Sequence, residues 1–140
     1  MVIPFHPSHL DAPGFSEEVR GYIEAGRQAM EGLAADGRAS TVVAAGVVLA
    51  VCGAVERAQW KNGAECEVFV FATDALRRHP VTAWKGLTRE LGRIKKRYGR
   101  IWALGADTEI SRRFLSRLGF GLDADTRKAM REMKLVWRLE

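Results

Sequence analysis

The chain has 140 residues with 47% hydrophobic content, enough for one core and too little for two domains of ordinary size. Four prolines and 28% charged residues exclude a low-hydrophobicity disordered chain and point to one folded domain spanning 1–140. Lys and Arg number 22 against 17 Asp and Glu, and the resulting formal charge of +5 suits an anionic ligand or partner without identifying one.

Val2 to Phe5 is short and apolar, and Pro4 restricts it to an edge strand or a strand start. The N-terminus has no basic segment followed by an apolar one, and the most apolar stretch, Val42 to Val55, is broken by small residues. Neither secretion nor membrane insertion is expected, and the expected location is cytoplasmic or virion-associated. Ser16 caps a helical pattern whose first turn carries Glu17 and Glu18, with Val19, Tyr22, Ile23, Met30 and Leu33 at helical spacing. Gly21, Gly26 and Gly32 weaken the pattern, leaving two short helices or one bent helix over Ser16 to Ala35.

Asp36-Gly37 signals a turn, and Ser40 to Ala45 with Val47 to Arg57 read as a hairpin around Gly46. Both faces of Val47 to Val55 are apolar, which places that strand inside a sheet, covered on both sides. Asn62-Gly63 turns the chain into a further strand, Cys66 to Ala72. Cys52 and Cys66 sit within these runs and read as buried thiols in a reducing compartment, a disulfide between them being the less favoured alternative. His6, His9 and His79 have no cysteine cluster near them, so no metal site is expected.

From Trp84 the spacing is helical through Leu87, Leu91, Ile94 and Tyr98, with Gly99 placed to stop the helix. Arg100 to Leu104 is a strand, Asp107 caps a helix bearing Ile110, Phe114, Leu115 and Leu118, and Lys134 to Leu139 alternates as a last strand. The order is β, α, β, β, β, α, β, α, β, an α/β (α+β) chain with a mixed central sheet of about six strands and helices on both faces.

Three places carry concentrated positive charge. Arg77 and Arg78 stand before the long helix, where a helix N-terminus favours anions. On that helix Lys85, Arg89, Arg93 and Lys96 recur at steps of four, four and three, and Arg100 continues the count beyond its end. An ordinary solvated helix face and a contact surface for nucleic acid or an acidic protein both fit this stripe; no zinc-finger, helix-turn-helix or aromatic stacking pattern accompanies it, so nucleic-acid contact would be sequence-neutral. Arg112, Arg113 and Arg117 form a further cluster on the last helix. Trp84, Trp102 and Trp137 read as core, whereas Trp60 falls in the hairpin loop with Gln59, Lys61 and Asn62 and reads as a protein-contact residue.

The element order, together with the stretch Ser111 to Phe120 (SRRFLSRLGF), resembles the GNAT family of N-acetyltransferases, whose corresponding helix closes on Leu-Gly-Phe. Phe5 to Leu10 (FHPSHL), Arg78-His79 and Arg100 to Ala103 (RIWA) resemble, within that family, the short phage-encoded GNAT-like proteins grouped with the podophage internal virion protein. The resemblance implies a GNAT-like domain and a pyrophosphate-binding turn between a strand and a helix, here Phe71, Ala72, Arg77, Arg78, Thr82 and Ala83. The family's turn reads Arg or Gln, two residues, Gly, one residue, Gly or Ala; starting from Arg77 the glycine positions hold Pro80 and Thr82, and from Arg78 they hold Val81 and Ala83. Pro80 lacks an amide to donate.

Leu115 stands where the family places its tyrosine acid, Thr108 where it places an asparagine and Ser111 where a small residue is usual. Glu67, ahead of Glu65, is the candidate general base, the alternative being a solvent-facing strand glutamate. The implied roles are therefore a virion-associated or assembly protein with a degenerate acetyl-CoA site and no required cofactor, contacting phage structural proteins or another protein partner, or else an active N-acetyltransferase using acetyl-CoA on an amine.

Overall fold

The structure is a computed structural model and describes residues 1–55, 65–98, 100–106, 109–122 and 134–139; side chains at 65, 100, 104–106, 109–112, 122 and 134–139 lie outside that description. Seven strands and three α-helices alternate as β1 (Val2–Pro4), α1 (Glu17–Ala35), β2 (Ala39–Ala44), β3 (Val47–Val55), β4 (Glu65–Ala72), α2 (Pro80–Tyr98), β5 (Arg100–Ala106), α3 (Glu109–Arg117), β6 (Gly121–Leu122) and β7 (Lys134–Leu139). Short 3-10 helices cover Pro7–Asp11 and Asp74–Arg78. This is the expected mixed α/β architecture, with one more strand than the sequence suggests, since the two residues of β6 are too few to show a period.

The chain forms two compact units, Met1–Ala54 with Phe69–Glu90, and Val55–Val68 with Leu91–Glu140. In the first the strand order is β1-β2-β3-β4 and in the second β4-β5-β7-β6, β4 contributing to both. Pairing is antiparallel for β1–β2, β2–β3, β5–β7 and β6–β7 and parallel for β4–β5.

In the first unit β3 is buried without interruption from Leu49 to Ala54, as its two apolar faces require. α1 is one helix of 19 residues, capped by the Ser16 hydroxyl, which accepts from the Val19 amide at 3.2 Å. It ends in a Schellman motif: Arg38 N–H donates to Leu33 O at 3.0 Å and Gly37, at φ +66°, supplies the left-handed residue. The β2–β3 loop has two residues, Ala45 at φ +51° and Gly46 at φ +75°, the pair of positive angles that a type I′ hairpin demands. Close approach fixes two glycines: a Cβ on Gly53 would fall 2.7 Å from the Phe69 ring, and one on Gly86 would fall 2.8 Å from Val42 Cγ1, so α2 meets β2 through Gly86. Beside that contact Ser40 Oγ donates to the buried Glu90 carboxylate at 2.9 Å.

The segment before α1 is tied by its histidines. The His6 amide donates to His9 Nδ1 at 3.1 Å and the Ser8 amide to His6 Nδ1 at 3.1 Å, so both Nδ1 atoms are acceptors and both rings carry their proton on Nε2. His9 Nδ1 also lies 2.7 Å from Thr41 Oγ1, a fully buried hydroxyl of β2 that must then donate.

In the second unit Leu91, Ile94 and Tyr98 of α2 and Ile101, Trp102 and Ala103 of β5 are buried. α3 closes as expected: Phe120 N–H donates to Leu115 O and Gly119 N–H to Ser116 O, both at 3.0 Å, with Gly119 at φ +96°. Trp84 is half-buried and Trp102 buried, in line with a core role, and Cys52 and Cys66 are buried thiols with no disulfide between them. The Glu56-Arg57 strand end, the Asn62-Gly63 turn with Trp60, the Gly99 stop and the Asp107 cap lie outside the described residues, as do the side chains of Ser111, Arg112 and Trp137. No helix among the described residues is long and apolar enough to cross a membrane.

Two outcomes follow. Ala45→Asn relieves a left-handed alanine while keeping the loop type, and raises stability by about 0.5–1 kcal/mol, a rise in Tm of about 2–4 °C measured by calorimetry. Burial, with a smaller electrostatic contribution from His6, holds the His9 pKa below 6.5. The unfolded chain then binds the proton first, so stability is full above about pH 6.5 and falls as pH drops toward the folded pKa. Thermal melts between pH 7.5 and 5 show this slope in the wild type, and His9→Asn flattens it.

Candidate functional site

The site begins where β4 stops being a shared strand. The parallel register of β4 with β5 runs from Glu65↔Arg100 to Val68↔Ala103, yet β4 continues to Ala72. The backbone groups on that edge of residues 69–72 therefore lie beyond the ladder, and they include Phe71 and Ala72 of the sequence-derived site. A strand edge of this kind hydrogen-bonds an extended ligand or a carbonyl oxygen through its amides.

The exit of β4 is clamped. Thr73 is 4% exposed; its N–H donates to Leu49 O at 2.9 Å and its hydroxyl to Val48 O at 2.7 Å. The Asp74 amide donates to Gly14 O at 3.0 Å, and Gly14, at φ +99°, leaves no room for a Cβ beside the Asp74 carboxylate. Thr73 was not visible in the sequence as a site residue, because its acceptors lie 24 and 25 positions away.

The turn that follows is a 3-10 helix rather than an open loop. Leu76 N–H donates to Thr73 O and His79 N–H to Leu76 O, both at 3.2 Å. α2 starts at Pro80, four residues before the Trp84 at which its apolar period becomes readable; proline at the first helical position is the local signal that marks this start. Of the four amides a helix N-terminus leaves open, that of His79 is used by Leu76 and Pro80 has none, while Ala83 N–H makes the first helical bond, to His79 O at 3.0 Å. Val81 and Thr82 remain as donors. Arg77 and Arg78 are exposed beside them, Thr82 is half-buried and Ala83 is buried against the helix. The residues therefore fit a pyrophosphate in part: two amides and two guanidinium groups can hold phosphate oxygens, but the amide cradle of a glycine-rich turn is absent.

Glu67 is 9% exposed, which overturns the solvent-facing alternative. It pairs in register with Trp102 of β5, and strand alternation puts it on the face of β4 shared by Phe69 and Phe71, whose rings stack at 5.2 Å. Glu65 has no described side chain and Thr108 is outside the described residues. Leu115 is buried on α3, and α3 contains no tyrosine.

The remaining predicted positions form a second surface. Lys85, Arg89, Arg93 and Lys96 are all exposed on α2, and Arg113 and Arg117 are exposed on α3. Arg100 belongs to β5, with its side chain outside the described residues. Among the described residues no group of three or more His, Cys, Asp or Glu is placed to hold a metal ion.

No family model and no curated protein matches the sequence. Solved structures do match. An N-acetyltransferase from Staphylococcus aureus Mu50 is similar at a TM-score of 0.67 with 17% identity, over 100% of this chain and 97% of its own. A GNAT-family acetyltransferase from Bacillus anthracis gives 0.61 and 13%, over 99% and 92%. Salmonella typhimurium yncA, solved with its cofactor acetyl-CoA, gives 0.65 and 17%, over 100% and 92%. Across its whole length, the chain has the fold of the GNAT acetyltransferases.

Proposed function

We propose that this protein is a small N-acetyltransferase that transfers an acetyl group from acetyl-CoA to an amine, with 1–140 acting as one GNAT-like domain. The observation that carries the reading is the end of β4, whose edge from Phe69 to Ala72 is left open by the short β4–β5 register in a fold shared with acetyltransferases. Acetyl-CoA, when bound, supplies a thioester-activated acetyl group. Arg77 and Arg78 hold its phosphates through charge-assisted hydrogen bonds, aided by the Val81 and Thr82 amides, and the open β4 amides orient the carbonyl and stabilise negative charge developing on its oxygen. Glu67 removes the proton from the attacking amine as the new C–N bond forms and the C–S bond breaks. Leu115 cannot protonate the departing sulfur, but a thiol with a pKa near about 8.5 leaves as thiolate without an acid and takes its proton from water. The replacement of the tyrosine therefore slows the reaction rather than forbidding it.

A second reading has its own support in the closed 3-10 turn and Pro80, which remove most of the amide cradle. In it the fold serves as a binding or assembly component, virion-associated if the source is a phage, and acetyl-CoA is not required.

Calorimetric titration separates the two. Acetyl-CoA binds the wild type, and the double variant Arg77→Ala, Arg78→Ala weakens binding by about ten- to a hundredfold, as expected for lost hydrogen bonds to a charged group; no heat with the wild type leaves only the second reading. Glu67→Gln lowers kcat on a responsive amine by about 10²–10⁴-fold while acetyl-CoA affinity and Tm stay near wild type. An unchanged kcat removes Glu67 from the mechanism.

A further inference from the structure

We propose that residues 1–14 form a strap with a histidine latch: acid opens it, and while closed it anchors the turn that carries Arg77 and Arg78. The strap's effect on ligand binding rests on the phosphate role proposed for that turn, whereas the latch does not.

The strap is fastened along its length. At its start the Val43 amide donates to Met1 O at 2.9 Å, the Met1 amine donates to Val43 O at 3.1 Å, and β1 pairs with β2 from Val2↔Val42 to Pro4↔Ser40. At its end the Asp74 amide donates to Gly14 O at 3.0 Å, and Asp74 is the first residue of the 3-10 turn that closes with Arg77 and Arg78. All of these residues belong to the same compact unit. Between the two ends, buried Phe5 and Leu10 supply apolar anchorage, and His6 and His9 supply hydrogen bonds whose direction depends on a proton.

The latch works by the count of donors and acceptors. A neutral imidazole has one ring lone pair, and at His9 it lies on Nδ1, facing the His6 amide at 3.1 Å and the Thr41 hydroxyl at 2.7 Å. A proton on Nδ1 turns this acceptor into a donor opposed to the His6 amide, and the reciprocal capping of the 3-10 helix by His6 and His9 is lost. Thr41 is fully buried on β2, so displacing the ring strips a buried hydroxyl of its partner. The same inversion waits at His6, whose Nδ1 accepts from the Ser8 amide at 3.1 Å. The two ring centroids are 6.1 Å apart, so protonating both also sets like charges side by side.

The carboxylates beside the latch are already engaged. The strap carries His6, Asp11 and the Met1 amine; α1 carries Glu17 and Glu18 at its exposed start and Arg20, Glu24 and Arg27 beside the strap; β2 is uncharged from Ala39 to Ala44. Asp11 and Glu24 both accept from Arg27, at 2.9 and 3.0 Å, and Arg20 donates to Ala12 O at 2.8 Å. Burial first and His6 second push the His9 pKa down.

Amide hydrogen exchange on the full chain tests the strap, with rates normalised to the intrinsic rate at each pH. Val43 and Asp74, whose amides close its two ends, share one protection factor well below that of Leu87, a fully buried residue of α2. That protection falls by up to about tenfold per pH unit from about pH 6.5 down to the folded pKa of His9. His9→Asn keeps an acceptor for the His6 amide but does not titrate, and makes the protection independent of pH. Thr41→Val removes a donor to the neutral ring and moves the loss to higher pH. By calorimetry, acetyl-CoA affinity falls about fivefold more between pH 7.5 and 5.5 in the wild type than in His9→Asn. The latch is overturned if Val43 and Asp74 exchange only together with Leu87, or if their protection in the wild type ignores pH. Equal losses of acetyl-CoA affinity in the two proteins overturn the link to ligand binding. Acetyl-CoA that binds at no pH counts against the transferase reading alone, because exchange at Asp74 still decides whether the strap anchors the turn.

Discussion

The exit of β4 is held by Thr73, and the site is built outward from that clamp. One residue satisfies two carbonyls of β3 with its amide and its hydroxyl in a buried setting, where an unmade hydrogen bond costs about 1–3 kcal/mol. Upstream it anchors the residue that follows the end of β4 at Ala72. Downstream it fixes the start of the 3-10 turn and, through that turn, the position at which Pro80 opens α2. The Asp74 amide on Gly14 adds a second tether from the N-terminal segment.

The turn before α2 differs physically from a glycine-rich anion-binding loop. A glycine-rich loop binds anions with backbone dipoles that are fixed and cost little to organise, whereas Arg77 and Arg78 are long, exposed side chains that lose rotamer freedom when they close on a phosphate. Charge replaces preorganisation. The same division appears elsewhere in the molecule: Glu90 and Thr41 are buried and individually hydrogen-bonded, while nearly all the outward charge of α2 is positive. Positive charge is accordingly gathered at the Arg77-Arg78 turn, on α2 and on α3.

Features dictated by neighbours within a few residues were legible in the sequence. Ser16 caps α1, Gly37 and Gly119 close helices in the left-handed conformation, and Gly46 marks the β2–β3 loop, because each depends on backbone chemistry confined to one turn. The burial of β3 followed from its two apolar faces. Misjudged or missed features have equally local explanations. The three glycines of α1 left two short helices or one bent helix open, and it is one continuous helix, with Ile23, Met30 and Leu33 buried on one face. Pro80 reads as a turn residue because it lacks an amide, although that same lack suits the first position of a helix, where it stands.

What the sequence alone determined is the fold class, the sites of helix capping, the absence of glycine from the Arg77–Ala83 turn and the charge on α2, all of them consequences of residue type and short spacing. Tertiary structure decided the rest. The burial of Glu67 depended on the packing of the folded sheet, the role of Thr73 on carbonyls 24 and 25 residues away, and the hydrogen bond of His9 on a threonine 32 residues distant. Burial and hydrogen-bond partnership are properties of pairs brought together by folding, and no local pattern encodes the second member of the pair.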